Sequence, residues 1–367
     1  MTNNLMEIDE INLKSIRRNK DKLKNEIIET PVSRLNSSYL NKLFPNTDIL
    51  MKLELFQHTG TFKARGALSV ANSIEKEKRK YGITAASAGN HAIAASWAAK
   101  KLGMSAKVVM RSTANSYRVS QAKIHDAEII IVDELDELFK TANRLVEQEL
   151  RTFIHPFEGI NTTLGTSGVG LEFIEAIPNL DAVIVSIGGG GLISGVASSI
   201  KLINPNCRVI GVEPIGADTM NKSFIEGNTI KNVKINSIVD SLSPPMTLPF
   251  SFSVCKKFID EIVTVSDEEI FASMVILQEE SKRAETAPTT VVEESTNAIA
   301  EEEPRPETTD ATQTTSTDEV KRRVRRVVDR DSILAEFDRI LVDLDAEVQT
   351  LRSSDSKSRR PTGVKFL

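Results

Sequence analysis

The chain has 367 residues, of which 40% are hydrophobic, and a net charge of -5 at pH 7. This is enough apolar material for two domains with their own cores, and the mildly acidic balance gives no reason to expect a nucleic-acid partner. Two cysteines are too few for a disulfide framework, and the start MTNNLMEIDE does not read as a targeting leader, so we expect a cytoplasmic protein. No apolar stretch is long enough to cross a membrane, and four His and two Cys without paired spacing predict no metal site.

Short β-branched segments alternate with segments of helical periodicity from about residue 48 to residue 214. Because each predicted strand is followed by a crossover, the pattern predicts an α/β fold with parallel sheets covered on both faces. Ligands bind such sheets at the carboxyl ends of the strands. The predicted strands are DILMKLE, GITAAS, AKVVM, AEIIIVD, TFIHPF, DAVIVSIG and RVIGVEP, and the predicted helices are 64–80, 90–102, 135–150, 165–177 and 191–203.

The segment HTGTFKARGA, residues 58–67, places a lysine at a predicted helix start. Thr61 is the predicted N-cap, which puts Lys63 in the first turn, where the helix dipole disfavours an added positive charge. This placement lowers the pKa of the amine, and a neutral lysine amine is a nucleophile. The alternative is an ordinary solvated lysine, since charged side chains are mostly exposed.

A glycine-rich segment, SIGGGGLISG at 186–195, follows an apolar strand and opens a predicted helix. Its exposed backbone N–H groups and the helix N-terminus behind them favour an anion such as a phosphate. A dinucleotide fingerprint is the alternative, because Gly189, Gly191 and Ser194 approximate its spacing and Glu213 ends a strand about twenty residues later. The serine in the last position weakens that alternative.

A third segment, ASAGNHAIA at 86–94, also turns from a strand into a helix. Ser87, Asn90 and His91 offer hydroxyl, amide and imidazole groups that suit a carboxylate or phenolate oxygen. Each of these residues could equally be a simple helix cap.

Three segments in this order, KLELFQHTGTFKARGA, ASAGNHA and DAVIVSIGGGGLISG, resemble the serine/threonine dehydratase branch of the fold-type II pyridoxal-phosphate enzymes. NEIIETPVSRL and RVIGVEP are similar too, so the resemblance covers roughly residues 10 to 282. It implies a two-domain α/β fold like that of the tryptophan synthase β subunit, pyridoxal 5'-phosphate as cofactor, and a homodimer or tetramer. The implied reaction is β-elimination of L-threonine or L-serine to a 2-oxo acid and ammonia, with the cofactor as electron sink.

Carried over by position, the resemblance implies a role for each matching residue. Lys63 would bind the cofactor as a Schiff base and then move the substrate α-proton. Phe62 would lie against the pyridine ring, and Asn90 would hydrogen-bond its 3-oxygen. Ser87 and His91 would help to hold the substrate carboxylate. Four consecutive glycines would bind the phosphate: Gly188, Gly189, Gly190 and Gly191.

Some positions depart from the family pattern. Ala88 stands where racemases of the family have a serine, so we do not expect racemisation. Some relatives bind a cation through the residue at Glu213 and a carboxylate six residues later. Thr219 occupies that second place, so we expect no metal there.

The composition changes near residue 283. Residues 283–319 are rich in Thr, Glu, Ala and Pro, which predicts a disordered acidic linker. Residues 320–352 combine a basic segment with one amphipathic helix, and because a single helix cannot bury its apolar stripe alone, it should pack on the globular part or on a protein partner. The polar tail at 353–367 is expected to be disordered.

The predicted architecture is a small domain at 55–155 and a large cofactor-binding domain formed by 1–54 and 156–282. Relatives continue with a strand that ends in a Ser/Cys-Gly-Gly-Asn-like turn at the pyridine nitrogen, and the C-terminal segment contains no such turn. We therefore interpret the large domain as truncated, which would impair activity. The alternative function is a catalytically weak scaffold whose C-terminal helix binds a partner. A nicotinamide-dependent oxidoreductase is a third hypothesis, supported by the glycine-rich turn and Glu213 alone.

Overall fold

The computed structural model describes residues 8–35, 38–87, 89–285 and 365–366. Of the disordered linker predicted at 283–319, residues 283–285 instead continue the helix Asp267–Glu285. The rest of that linker, the predicted helix at 320–352 and most of the tail lie outside the described residues. Contacts divide the chain into two units, and the described residues of 8–35, 44–267 and 365–366 belong to the first. Residues 38–43 and 268–285 belong to the second.

The N-terminal part contains one helix with a capping box and a short antiparallel pair of strands. The Asn12 side chain accepts the backbone N–H of Ser15, and the Ser15 hydroxyl accepts the N–H of Asn12, which fixes where the first helix begins. The pattern predicts a parallel strand at DILMKLE, but that strand pairs antiparallel with residues 32–34, an arrangement that needs no long crossover helix. The elements are α1 (Leu13–Leu23), β1 (Val32–Arg34), α2 (Ser38–Leu43), β2 (Leu50–Lys52) and α3 (Lys63–Ser73).

The first parallel sheet has four strands in the order β5-β4-β3-β6. Its core combines strand side chains with the small buried alanines of α4, which let that helix pack closely against the sheet. β6 is shorter than the predicted strand TFIHPF, because Pro156 has no N–H to donate and the His155 side chain accepts two backbone N–H groups beyond it. The elements are β3 (Ile83–Ala86), α4 (Asn90–Lys101), β4 (Ala106–Arg111), α5 (Ser116–Ile124), β5 (Glu128–Val132), α6 (Leu135–Glu149) and β6 (Thr152–Phe153).

The second parallel sheet has the order β10-β7-β8-β9 and a separate core that includes Phe173, Val183 and Val209. Two sheets with separate cores agree with the predicted α/β class, and the exact domain boundaries stay a prediction. The sequence patterns did not predict β1 or β9 as strands. The elements are α7 (Ile160–Ala176), β7 (Ala182–Ser186), α8 (Gly191–Ile203), β8 (Arg208–Pro214), α9 (Thr219–Glu226), α10 (Pro249–Phe258), β9 (Glu261–Val265), α11 (Asp267–Glu285) and β10 (Lys365–Phe366).

The strand β10 comes from the tail that the sequence predicts to be disordered. Lys365 lies beside Val183 and Phe366 beside Ile184, in a parallel pair with β7. The physical reason is that β7 would otherwise present unpaired N–H and C=O groups along that edge of the sheet.

Candidate active site

Lys63 lies in the first turn of α3, as the sequence predicts, but the N-cap and the helix begin one residue later than expected. Phe62 occupies the N-cap position with helical backbone angles, φ -55° and ψ -18°. The Thr61 hydroxyl accepts the backbone N–H of Lys63 at 3.3 Å, so Thr61 still satisfies one donor at the helix start.

The amine of Lys63 is enclosed by protein. Its Nζ donates a hydrogen bond to the carbonyl oxygen of Pro156 at 2.7 Å and lies 5.1 Å from the centroid of the Phe62 ring. Burial lowers the pKa of this amine to about 8. The direction is the one predicted from the sequence, and its cause is desolvation of the buried amine.

A narrow pocket adjoins this amine, with a cavity volume of about 10 Å³. It joins residues of the lysine segment, the third segment and the glycine-rich segment, which are far apart in the chain. This is the arrangement that a lysine-bound cofactor with a phosphate requires. The lining includes Phe62, Lys63, His91, His155, Thr162 and Gly191.

The glycine turn lies between β7 and α8. Gly190 is the N-cap of α8 and has a left-handed backbone with φ 89°, which favours glycine. A Cβ at Gly189 would lie 2.2 Å from Cγ of Phe157, and a Cβ at Gly191 would lie 2.7 Å from Cα of Phe157. The turn therefore packs directly against Phe157. Phe157 follows Pro156, whose carbonyl oxygen accepts the hydrogen bond from the Lys63 amine.

The β3–α4 connection carries Ser87, Asn90 and His91. The Ser87 hydroxyl accepts the N–H of Gly89 at 3.1 Å, and Asn90 is the first residue of α4. Of these three predicted residues, His91 lines the pocket. Ala88 lies outside the described residues, so its predicted effect on racemisation stays a prediction.

Two buried histidines flank the Lys63 amine. Burial, with the nearby positive charge of Lys63, lowers the pKa of His91 and of His155 to about 3 each. His91 Nε2 lies 2.8 Å from the carbonyl oxygen of Ile154, which accepts only, so we assign the proton to Nε2. The neutral ring then presents Nδ1 as an acceptor, which does not suit the direct contact with a carboxylate predicted for His91.

The sequence patterns missed several pocket residues, among them His155, Pro156 and Thr162. Thr162 is 5% exposed and its hydroxyl has no hydrogen-bond partner among the described residues, so it is available to a bound group. A signal was present in the sequence. The predicted strand TFIHPF runs directly into His155 and Pro156, and ligands bind at such carboxyl ends of strands.

Near Lys63, four charged side chains form a group of ion pairs: Lys52, Glu54, Arg65 and Glu172. Arg65 is 2% exposed and contacts Glu54 at 2.8 Å and Glu172 at 2.7 Å. Lys52 contacts the other oxygen of Glu172 at 2.6 Å. These ion pairs join β2, α3 and α7, so they fix the helix that carries the amine.

Glu213 ends β8 and is fully buried. Its two oxygens accept the backbone N–H groups of Met220 and Asn221 at 2.9 and 2.7 Å, and burial raises its pKa to about 7. The carboxylate is thus engaged with the start of α9, which weakens the nicotinamide hypothesis that needs it for a ribose. Within the described residues, no group of three or more His, Cys, Asp or Glu is placed to hold a metal ion.

Comparison with known proteins identifies the family. The model of the family described as "Pyridoxal-phosphate dependent enzyme" matches residues 23–336. The chain belongs to this family. The match extends past residue 283 into the segment whose composition differs from that of the rest of the chain.

The family's relatives include a phenylserine dehydratase of Ralstonia pickettii, 45% identical over 65% of this chain and 74% of the relative. An L-threonine ammonia-lyase of Thermotoga maritima is 34% identical over 74% of this chain and 67% of the relative. Among solved structures, maize serine racemase has a TM-score of 0.70 at 32% identity, and covers 74% of this chain and 82% of its own.

These comparisons confirm the fold-type II pyridoxal-phosphate enzyme of the dehydratase type that the sequence predicts, and with it pyridoxal phosphate as the cofactor. The residues present fit that cofactor, because a buried amine and the N-terminus of α8 share one pocket. In the described part of the chain, none of the helices has the length and apolar character needed to span a membrane.

Proposed function

We propose that this protein catalyses the β-elimination of L-threonine or L-serine to a 2-oxo acid and ammonia, with Lys63 as the residue that binds the cofactor. The observation that carries this proposal is the buried Lys63 amine in one pocket with Gly191 of the glycine turn. The dehydratase and ammonia-lyase among the relatives support the reaction class.

Pyridoxal phosphate, when bound, supplies an electron sink for the negative charge that forms at Cα of the substrate. The protein's own groups have three tasks. The N–H groups at the start of α8, with Gly188, Gly189 and Gly190, would hold the phosphate. Phe62 would pack against the ring, and Asn90 would donate a hydrogen bond to the ring 3-oxygen.

Lys63 would move the substrate α-proton. Because its pKa is about 8, a far larger fraction of this amine is unprotonated near neutral pH than of an exposed lysine, so more of it is available to accept a proton. The hydrogen bond to Pro156 O keeps the amine inside the pocket. Because His91 and His155 are neutral, they place no positive charge beside the amine that would oppose its protonation.

Ser87 would donate its hydroxyl hydrogen to the substrate carboxylate. For His91 we propose an indirect role in binding the carboxylate, since its Nε2 is engaged with the Ile154 carbonyl oxygen. The unpartnered hydroxyl of Thr162 is a further donor toward the pocket. We therefore expect Thr162 to contact either the substrate or the cofactor.

The direct test is a turnover assay of the purified protein with added pyridoxal phosphate. L-Threonine, L-serine and 3-phenylserine are compared, and the 2-oxo acid and ammonia are measured together. We expect equal amounts of both products from threonine or serine. Turnover of phenylserine alone would contradict the proposed substrate, and a protein with bound cofactor that turns over none of the three would contradict the elimination.

A catalytically weak scaffold is the alternative, with the predicted C-terminal helix as the partner-binding part. That helix lies outside the described residues, so its support is the sequence pattern alone. Removal of residues 286–360 separates the two functions. Loss of a bound partner with full turnover would mean that the tail serves binding only.

We further propose a cytoplasmic homodimer or tetramer, as the family resemblance implies. The exposed Ile215, Ile225 and Ile238 are available for contacts between copies, at 55%, 77% and 71% exposure. Size-exclusion chromatography with light scattering measures the assembly. A monomer at micromolar concentration would contradict this part of the proposal.

A further inference from the structure

Arg118 occupies an unfavourable position for a cation. It is the third residue of α5, whose N-cap Asn115 accepts the N–H of Tyr117 at 2.9 Å. The N-terminal end of a helix carries a partial positive charge and favours acidic side chains. The stability of α5 therefore does not explain an arginine here.

The guanidinium of Arg118 forms one ion pair. Its Nη1 donates to Oδ2 of Asp240 at 2.7 Å, and the two side chains are 26% and 69% exposed. Such exposed pairs stabilise a fold weakly, because water screens the charges and both side chains lose mobility. The contribution of this pair to global stability is therefore small.

The pair lies between the backbone just before α4 and a segment that packs against the glycine turn. On one side, a Cβ at Gly89 would lie 3.5 Å from Nη1 of Arg118, so the guanidinium lies against the backbone just before Asn90. On the other side, Asp240 begins the short helix Asp240–Leu242. The Cα of Leu242 is 3.2 Å from the position of a Cβ at Gly188, in the glycine turn.

We propose that Arg118 and Asp240 form an ionic latch that holds the β3–α4 connection against the segment beside the glycine turn. The latch positions Ser87 for the carboxylate of the amino-acid substrate, so it raises affinity for the substrate without touching the reacting atoms. Arg118 and Asp240 are thus positioning residues. The inference rests on the proposed function, because it assigns the β3–α4 connection to substrate binding.

Steady-state elimination kinetics of the holoenzyme with L-threonine and L-serine test the latch. Arg118→Gln and Asp240→Asn should each raise KM about 5-fold, the equivalent of about 1 kcal/mol, with kcat within about 2-fold. Because the two charges act as one unit, the double variant should be no worse than either single variant. Arg118→Lys should recover most of the affinity.

Two readouts separate this effect from a structural one. The visible absorbance of the bound cofactor and the melting temperature should stay at wild-type values in all four variants. High salt, about 0.5 M, should reduce the wild-type advantage, since exposed charges are screened. Lys257→Gln removes another exposed ion pair, with Asp9, and should leave KM unchanged.

The latch is overturned if KM is unchanged, if the double variant shows the sum of both effects, or if only Arg118→Gln acts. If wild-type protein binds cofactor but turns over neither amino acid, the proposed function fails instead. The latch is then tested by titrating L-threonine against the visible spectrum of the bound cofactor, where equal losses of affinity in both single variants support it and unchanged affinity overturns it.

Discussion

Burial shifts the pKa values of several side chains at and around Lys63. An amine with a pKa of about 8 and two imidazoles with pKa values of about 3 lie within one enclosed region. Glu213, in the same half of the chain as the glycine turn, has a pKa of about 7. In each case burial is the largest cause, and it favours the uncharged form.

These shifts predict how stability depends on pH. His91 and His155 stay neutral in the folded state, so below their ordinary pKa of 6.5 the unfolded chain binds protons that the folded chain does not. Each therefore removes about 1.4 kcal/mol of stability per pH unit as the pH falls from there. Glu213 acts with the opposite sign, since it binds a proton in the folded state between pH 4.5 and about 7.

Between about pH 5 and pH 6.5, two histidines outweigh one glutamate, so the free energy of unfolding should rise with pH. Glu213→Gln removes the opposing group and should make this rise steeper. Urea unfolding at several pH values measures both slopes. A wild-type stability that falls from pH 5 to pH 6.5, or a shallower slope in the variant, would contradict these assignments.

The buried charge of Arg65 leads to a second prediction at this scale. Arg65→Met leaves Glu172 and Glu54 without their shared partner in the interior, which should cost about 3–5 kcal/mol of stability. Arg34→Met is the matched control, because it removes an exposed pair with Asp48 and should cost about 1 kcal/mol or less. Chemical denaturation compares the two, and equal losses would argue against the importance of the buried group.

At the scale of elements, α3 and α7 approach closely because glycines face each other. A Cβ at Gly165 would lie 2.5 Å from the backbone oxygen of Arg65 and 2.7 Å from Cα of Gly66. Backbone atoms cannot move aside as a flexible side chain does. The contact therefore fixes the distance between the two helices that line the pocket.

Gly165→Ala should push α3 away from α7 and cost about 1–3 kcal/mol. Gly168→Ala lies in the same helix, but its nearest neighbour is the Arg65 side chain at 3.2 Å. Because this neighbour is the end of a side chain rather than backbone, and alanine is about 0.5–1 kcal/mol more favourable than glycine in a helix, the control should cost less stability than Gly165→Ala. Melting temperatures decide the matter, and a stable Gly165→Ala variant with normal cofactor absorbance would contradict the packing argument.

Local sequence patterns predict the elements that position the site. Contacts between residues far apart in the chain determine the features that the sequence does not predict. The start of α3 at Lys63 and the turn before α8 follow from nearby residues, namely a hydroxyl, a charge and a run of glycines. The contact of Arg65 with Glu172 joins residues far apart in the chain, and no spacing rule reports it. The strand β6 is short because Pro156 has no N–H to donate and the His155 side chain accepts two backbone N–H groups beyond it.

At the scale of the whole molecule, two parallel sheets with separate cores carry the two sides of the pocket. The alternation of helical and β-branched segments predicts the parallel sheets, and the family resemblance implies the division into two domains. It does not predict that Lys365 and Phe366 extend the second sheet, since two residues in a polar tail carry no periodicity. That strand forms because the edge of β7 offers unpaired backbone groups.

Removal of residues 365–367 should therefore weaken the second sheet. The loss of the backbone pairing with β7 should lower the free energy of unfolding by about 1–2 kcal/mol. Lys365→Gln keeps the backbone and should leave stability unchanged. Urea denaturation measures the difference, and a truncated chain as stable as the full chain would show that β10 adds nothing to the sheet.

The central claim is that the Lys63 amine binds pyridoxal phosphate. Borohydride reduction of the holoenzyme, followed by protease digestion and mass spectrometry, locates the lysine that carries the cofactor. We predict a reduced cofactor adduct on the peptide containing Lys63, and loss of the visible absorbance in Lys63→Ala. An adduct on another lysine, or unchanged absorbance in the variant, would contradict the claim.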